Sequence, residues 1–329
     1  MARVMTLDQW RAVVAARPLA RTVDELREAT AFFEPLMNDG STGKMPRVGR
    51  VSQFVVRAAG AGISKLMVEV IEPAASGASP EPGGWPVCVF VHGGGWVSGS
   101  VASYRSLTNG LVGASERNGT GVVVVAVEYG LAPEHTADEL VDDVMQAVRW
   151  VCTHARTFGG DPARVVLVGD SAGAQIAVIA AGRIHAGASA ADTAGGGALF
   201  AVQNTRDVIA LVLLYGVLDF EGLASPSLAG ILQMRRWYLG AMDADRKARA
   251  RFDPVANVRG LPRVMVVGAT EDALCSQSDV FVEAARGAGV EVESCVVAGV
   301  PHGFLQCGLW PQAPATLDAV ARFVLDASR

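Results

Sequence analysis

Charge is scarce in this chain of 329 residues: 19% are Asp, Glu, Lys or Arg, with a net charge of −5. No run of like charges stands out, so no nucleic-acid or anionic-membrane partner is expected. Long apolar runs are missing too. The most hydrophobic stretch, 121–127, is far too short to span a bilayer and suits a buried strand, so no stable membrane insertion is expected. The first residues lack a basic start, an apolar stretch and a small-residue cleavage site, with Asp8 and Gln9 interrupting them. No signal peptide is read there, and a cytoplasmic location is the expectation. Cysteine is limited to five scattered residues, 88, 152, 275, 295 and 307, with no C-x-x-C pair and no Cys/His cluster. They read as buried free thiols and offer no metal site. No repeat of fixed period is visible.

Half of the residues are hydrophobic, enough for a sizeable core. From about residue 48, short β-branched runs alternate with longer helical patterns. Strands are expected at 50–57, 65–71, 86–91, 121–127, 164–168, 208–214, 263–267 and 291–297. The first two are close enough for an antiparallel hairpin. The later ones are continuous apolar runs separated by helix-length segments, as strands covered on both faces should be. The expectation is an α/β fold: an eight-stranded, mostly parallel sheet flanked by helices. The last strand, 291–297, is a candidate pairing edge for a homodimer.

Three segments stand outside the alternation. Residues 1–45 look helical and amphipathic, with Trp10, Val13, Val14, Leu26, Phe32, Phe33 and Met37, and are read as a helical cap segment preceding a catalytic domain at 46–329. Residues 186–205, rich in Gly and Ala, read as a loop between a helix and the next strand. Residues 221–260 carry Leu228, Ile231, Leu232, Met234, Trp237 and Tyr238 at helical spacing. Such a stripe is consistent with core packing or with a second contribution to the cap.

The chemistry sits in three loops. VVLVGDSAG at 165–173 is a buried strand running into Gly-x-Ser-x-Gly, and AQIAVIAAGRI follows as a helix pattern. A tight strand-to-helix turn would lift Ser171 Oγ above the sheet, over a helix N-terminus that favours developing negative charge. The alternative is a glycine-rich turn holding a phosphate. The strand at 86–91 ends in His92-Gly93-Gly94-Gly95-Trp96. Backbone N–H groups fixed in advance stabilise an oxyanion best, and glycines let the backbone approach a substrate. Gly94 and Gly95 are the expected donors of that loop, with Ala172 as a third, Gly93 as a turn-former and His92 bracing the loop. A dinucleotide loop is excluded here, because Gly-x-Gly-x-x-Gly followed by a helix is absent. Of five histidines, 92, 135 and 154 precede Ser171 and His185 lies along the following helix, which leaves His302, in VPHGF, as base. Two acids follow suitable strands, Asp272 and Asp219, with Glu271 beside the first. Such an acid orients the imidazole and stabilises the imidazolium.

HGGGW at 92–96, YGLAPEH at 129–135 with Asp142-Asp143, GDSAG at 169–173, DPVAN at 253–257, EDAL at 271–274 and PHGF at 301–304 together resemble the hormone-sensitive-lipase-like esterases, bacterial esterase family IV. The likeness runs from about residue 50 to the end, with motif order intact. It implies an α/β-hydrolase fold, a helical cap built partly from the N-terminus, no cofactor, and hydrolysis of a small-molecule carboxylic ester through an acyl-enzyme. Its spacing selects Asp272 as the acid, and it implies that Asp170, Glu134 and Asp142 mainly brace the site. Departures are Glu128-Tyr129-Gly130 for Asp-Tyr-Arg, which removes an arginine contact, Thr136-Ala137-Asp138 for Pro-Phe-Pro, and Ala273 for proline. The same triad would also serve a lactone, amide or formamide, and a non-catalytic small-molecule receptor is the rival from another class.

Overall fold

The computed structural model describes residues 8, 20–38, 47–57, 65–74, 83–187, 208–306 and 310–328, without the side chains of 32–38, 57 and 65. Trp10, Val13, Val14, Cys307 and most of the Gly/Ala-rich 186–205 stretch lie outside these residues, as do the side chains of Phe32, Phe33 and Met37. The expected strands all form, as β1 (Val51–Arg57), β2 (Lys65–Ile71), β3 (Trp85–Val91), β4 (Val123–Glu128), β5 (Gly160–Asp170), β6 (Ala210–Leu214), β7 (Arg263–Ala269) and β8 (Val292–Val297). They make one sheet in the order β1-β2-β4-β3-β5-β6-β7-β8. β2 pairs antiparallel with β1 and β4, and the remaining pairs are parallel. β5 starts four residues earlier than its apolar run because Gly160 pairs with Trp85 across a register shift. That polar lead-in carries no hydrophobic signal.

The helices are α1 (Val23–Asn38), α2 (Arg105–Arg117), α3 (Ala137–His154), α4 (Ala172–His185), α5 (Ala229–Leu239), α6 (Arg246–Ala250), α7 (Cys275–Gly287) and α8 (Ala313–Ala327). Side chains alternate across a strand, so β3 serves two cores at once. Val87, Val89 and Val91 enter a core shared with α3, α4 and α7, while Cys88 and Phe90 enter one shared with α2 and α8. Both faces are covered, so the central strands are apolar throughout. Each Val, Leu or Ile withdrawn from water favours folding by about 1.5–3 kcal/mol. Among the described residues no helix is long and apolar enough to cross a membrane.

The strand order reverses at β3: the chain passes from β3 outward to β4, then back to β5 on its other side. Loops leaving the carboxyl ends of β3 and β5 therefore diverge and leave a crevice between them. The 92–99 and 170–173 segments both begin there.

Candidate active site

Ser171 sits between β5 and α4 at φ 54° and ψ −116°, a region that residues other than glycine seldom occupy. The bend is held on both sides. The Ser171 N–H donates to the Leu214 carbonyl (2.9 Å), and its own carbonyl accepts from Ala174 (3.1 Å) and Val217 (3.2 Å). A Cβ at Gly173 would collide with the carbonyl oxygens of Val91 and His92, so the turn can close this tightly only with glycine.

The structure brings His302 and Asp272 to this serine. Ser171 Oγ lies 2.8 Å from His302 Nε2, and His302 Nδ1 lies 2.7 Å from Asp272 Oδ2. Asp272 Oδ1 accepts from the Leu274 N–H at 2.9 Å, which fixes the carboxylate plane. With the Asp272 side chain 3% exposed and that of His302 39% exposed, the acid is sealed behind an imidazole that still faces the crevice. Burial pulls the His302 pKa down, but the Asp272 charge and hydrogen bond, aided by the Asp170 charge, hold it above the ordinary histidine value. Asp219, the other acid considered, turns instead to the Glu221 N–H at 3.0 Å.

The peptide plane explains how the glycine loop is set. Carbonyl and following N–H point in opposite directions across one rigid unit, so gripping the oxygen aims the N–H. His92 Nδ1 donates to the Gly93 carbonyl (2.7 Å), which orients the Gly94 N–H. Burial lowers the His92 pKa to about 4, so the ring is neutral, and the Nδ1 proton is assigned by its carbonyl partner. The Ser98 N–H (3.1 Å) and hydroxyl (2.8 Å) both donate to the Gly94 carbonyl, which orients the Gly95 N–H. The Ser171 carbonyl, held twice, does the same for Ala172. Among the described residues, no acceptor engages the Gly94 or Gly95 N–H. Positive φ falls at Gly94 (113°) and Gly95 (61°), not at Gly93. Gly93 is therefore not the turn-former. It is needed for room, since a Cβ there would lie 2.5 Å from Asp170 Oδ1 and 2.7 Å from the Tyr104 hydroxyl.

Asp170, fully buried beside Ser171, ties these loops together. Its Oδ1 accepts from Tyr104 (3.2 Å) and Gln306 Nε2 (3.1 Å), and Gln306 also donates to the Tyr104 hydroxyl (2.9 Å). Burial raises the Asp170 pKa to about 6, against the hydrogen bonds of Tyr215, Gln306 and Tyr104 and the charge of His302. Tyr215, at φ 38°, lays its ring edge-to-face with His302, centroids 5.3 Å apart. Sequence reading identified neither Tyr215 nor Gln306. A strained backbone leaves no sequence mark, and Gln306 meets Asp170 across 136 residues.

Residues 221–260 fold into short 3-10 turns around α5 and α6, and α5 lies over the glycine loop. Tyr238 stacks on Trp96 (4.9 Å, 9°), and the Met234 thioether occupies the space beside Gly95. Trp96, buried at φ 67°, donates through Nε1 to Gln175 (2.8 Å). At the other flank, Glu134 chelates Arg27 of α1 (2.8 and 2.7 Å), and Asp143 accepts from the Gly130 N–H (2.9 Å). The Glu134 pKa falls to about 2 through that Arg27 hydrogen bond. An arginine thus reaches this loop from another part of the chain, although Gly130 supplies none. Asp142 lies 3.9 Å from Arg183. Among the described residues, no His/Cys/Asp/Glu group could hold a metal ion.

Known proteins resemble this chain in family, sequence and fold. A family model described as alpha/beta hydrolase fold matches residues 88–306. Carboxylesterase NlhH of Mycobacterium tuberculosis is 29% identical over 255 residues, 72% of this chain and 71% of its own length. Ethyl acetate hydrolase of Pseudomonas putida is 30% identical over 236 residues, 67% of this chain and 66% of its own. Among solved structures, a Pyrobaculum calidifontis esterase superposes with a TM-score of 0.76 at 22% identity, covering 99% of this chain and 100% of that one. EstE1, a thermostable carboxylesterase cloned from a metagenomic library, gives 0.76 at 23%, with 95% and 100% covered. At such identities the superpositions speak to the fold.

Proposed function

The chain belongs to the hormone-sensitive-lipase-like branch of the alpha/beta-hydrolase fold family, and we propose that it is a carboxylesterase with Ser171 as nucleophile, His302 as base and Asp272 as orienting acid. The observation that carries this reading is the continuous chain Ser171–His302–Asp272 at 2.8 and 2.7 Å, beside three N–H groups whose carbonyl partners are all held. His302 Nε2 takes the hydroxyl proton as Ser171 Oγ bonds to the ester carbonyl carbon. The carbonyl oxygen becomes an oxyanion facing the N–H groups of Gly94, Gly95 and Ala172. Collapse breaks the bond to the alcohol oxygen, which leaves with the proton from His302. Water then repeats the sequence on the acyl-enzyme, releasing the acid and restoring Ser171. Asp272 holds the proton on Nδ1 and keeps Nε2 free to accept.

Ser171→Ala tests this. Hydrolysis of p-nitrophenyl butyrate should fall by about 10⁴ or more, with covalent labelling by a fluorophosphonate probe abolished. Retention of more than a few percent of activity in a clean preparation would exclude Ser171 as nucleophile. Wild-type protein that neither hydrolyses nor labels would favour the receptor reading. A panel adding lactones and amides to the esters fixes the bond type.

A further inference from the structure

We propose that Arg27, reaching across from α1, is a positioning residue for the oxyanion loop; the inference rests on the esterase reading above. On α1, Val23, Leu26, Arg27, Ala29 and Thr30 are half-buried while Asp24, Glu25, Glu28 and Ala31 are exposed. Val23, Leu26, Arg27 and Thr30 keep the i, i+3, i+4, i+7 spacing of an inward face, yet two of these four are polar. Val23 and Leu26 pack against the core. Arg27 turns to the segment that closes the glycine loop, and Thr30, whose hydroxyl donates to the Leu26 carbonyl of its own helix (2.9 Å), lies beside that segment.

The Arg27 guanidinium is used on every side. Nε donates to the Val97 carbonyl (2.8 Å), Nη2 to the Ala132 carbonyl (3.1 Å), and Nη1 and Nη2 to the two oxygens of Glu134 (2.8 and 2.7 Å). One planar fork thus joins α1, the 97–98 turn and the 132–134 loop. The Ala132 N–H in turn donates to the Trp96 carbonyl (2.9 Å), so Trp96 and Val97 are both held by their oxygens. The next residue is Ser98, whose hydroxyl also lies 3.4 Å from that of Thr30. Ser98 grips the Gly94 carbonyl, as does the Val97 N–H at 3.4 Å, and this grip aims the Gly95 N–H. If Arg27 is lost, the turn carrying Ser98 is free to shift, and the Gly95 peptide rotates with it.

The ion pair itself contributes little to stability. The Glu134 side chain is 57% exposed and that of Arg27 31%, so solvent screens the attraction. What Arg27 supplies is geometry, and its loss should show in the rate of the chemical step. An oxyanion carries its full charge only in the tetrahedral state, so a misaimed donor lowers kcat and leaves KM alone.

The test compares wild type, Arg27→Ala and Arg27→Lys for p-nitrophenyl butyrate kinetics, thermal unfolding and inhibition by a trifluoromethyl ketone, whose adduct with Ser171 places an oxyanion at the loop. Arg27→Ala should lose about tenfold in kcat, less than the loss of a whole donor, with KM changed less than about twofold. Ketone affinity should weaken by the same factor as kcat, Tm should hold, and millimolar guanidinium should partly restore the rate. Arg27→Lys should share the defect, since an ammonium cannot span Val97, Ala132 and Glu134 together. Unchanged kcat and ketone affinity, a rise in KM alone, or a rate loss matched by loss of folded protein overturns the proposal. Fluorophosphonate labelling of wild type separates this from failure of the esterase reading. Labelled, active wild type with an indistinguishable Arg27→Ala rejects Arg27 alone, whereas inert, unlabelled wild type rejects both.

Discussion

At the scale of single residues, His302 answers to two carboxylates, and on the proposed mechanism they should set the pH dependence of the rate. In the proposed mechanism only neutral imidazole can take the serine proton, so kcat/KM should rise as His302 deprotonates. Burial disfavours the imidazolium, while Asp272 and Asp170 favour it and prevail. The rising limb of kcat/KM should therefore have its midpoint above the ordinary histidine value of about 6.5. Asp170, with its pKa raised to about 6, titrates in a neighbouring window, so the measured steps belong to the pair. Asp170→Asn removes one of the two stabilising charges and should move the midpoint down, even where kcat also falls through disturbance of Tyr104 and Gln306. A midpoint that stays put in Asp170→Asn would show that the carboxylate braces the loops without acting on the imidazole.

At the scale of elements, α5 meets the glycine loop with two residues one turn apart, and they should behave differently. Tyr238, 2% exposed and stacked on Trp96, is a fixed anchor. Tyr238→Ala should cost about 3 kcal/mol of stability and reduce kcat with it. Met234 is half-buried, and its flexible thioether takes up space beside Gly95. Met234→Ala should raise kcat/KM for hexanoate and octanoate esters relative to acetate several-fold, with Tm little changed. An unchanged chain-length profile with lower Tm would make α5 scaffold. The sheet was legible in the sequence because β3 to β7, covered on both faces, each carry an apolar run, β5 after its polar lead-in. The Gly-x-Ser-x-Gly turn at Ser171 and its neighbours were legible because their motifs and the chain's five histidines fall in a fixed order. The placement of α5 beside the glycine loop was not, since the stripe at Leu228, Ile231 and Met234 is the same whether it meets a core or a crevice. Arg27 was invisible for a related reason: an arginine among Asp24, Glu25 and Glu28 reads as part of a solvated helix face.

At the scale of the whole molecule, the fold carries acids that it holds at a cost in stability, and this cost has a direction in pH. Asp170 is fully buried and Asp253 is 7% exposed, and burial raises both to a pKa of about 6. Asp253 stays because its Oδ1 accepts the Phe220 N–H (3.3 Å), which pins the start of the 221–260 segment to its end. A carboxyl with a folded pKa above its unfolded value near 3.9 binds protons more tightly when native, so it stabilises the fold at low pH. That contribution is present below about pH 4 and is lost as pH rises through about 6, by up to about 3 kcal/mol for each acid. Glu69, Glu134, Glu139 and Glu221 have lowered values and act in the opposite sense, losing their contribution as pH falls. All but Glu69 are held at the surface, where screening weakens them. The free energy of unfolding by urea, measured at pH 5 and pH 8, therefore sets these two acids and His302, which favour pH 5, against His92, which is buried neutral with its pKa lowered to about 4 and favours pH 8. In Asp253→Asn, which keeps the acceptor for Phe220 but cannot ionise, the unfolding free energy at pH 5 minus that at pH 8 should fall by about 1 kcal/mol relative to wild type. If the variant keeps the full wild-type difference, Asp253 does not titrate with folding, and the segment over the active site is anchored by an ordinary ionised carboxylate.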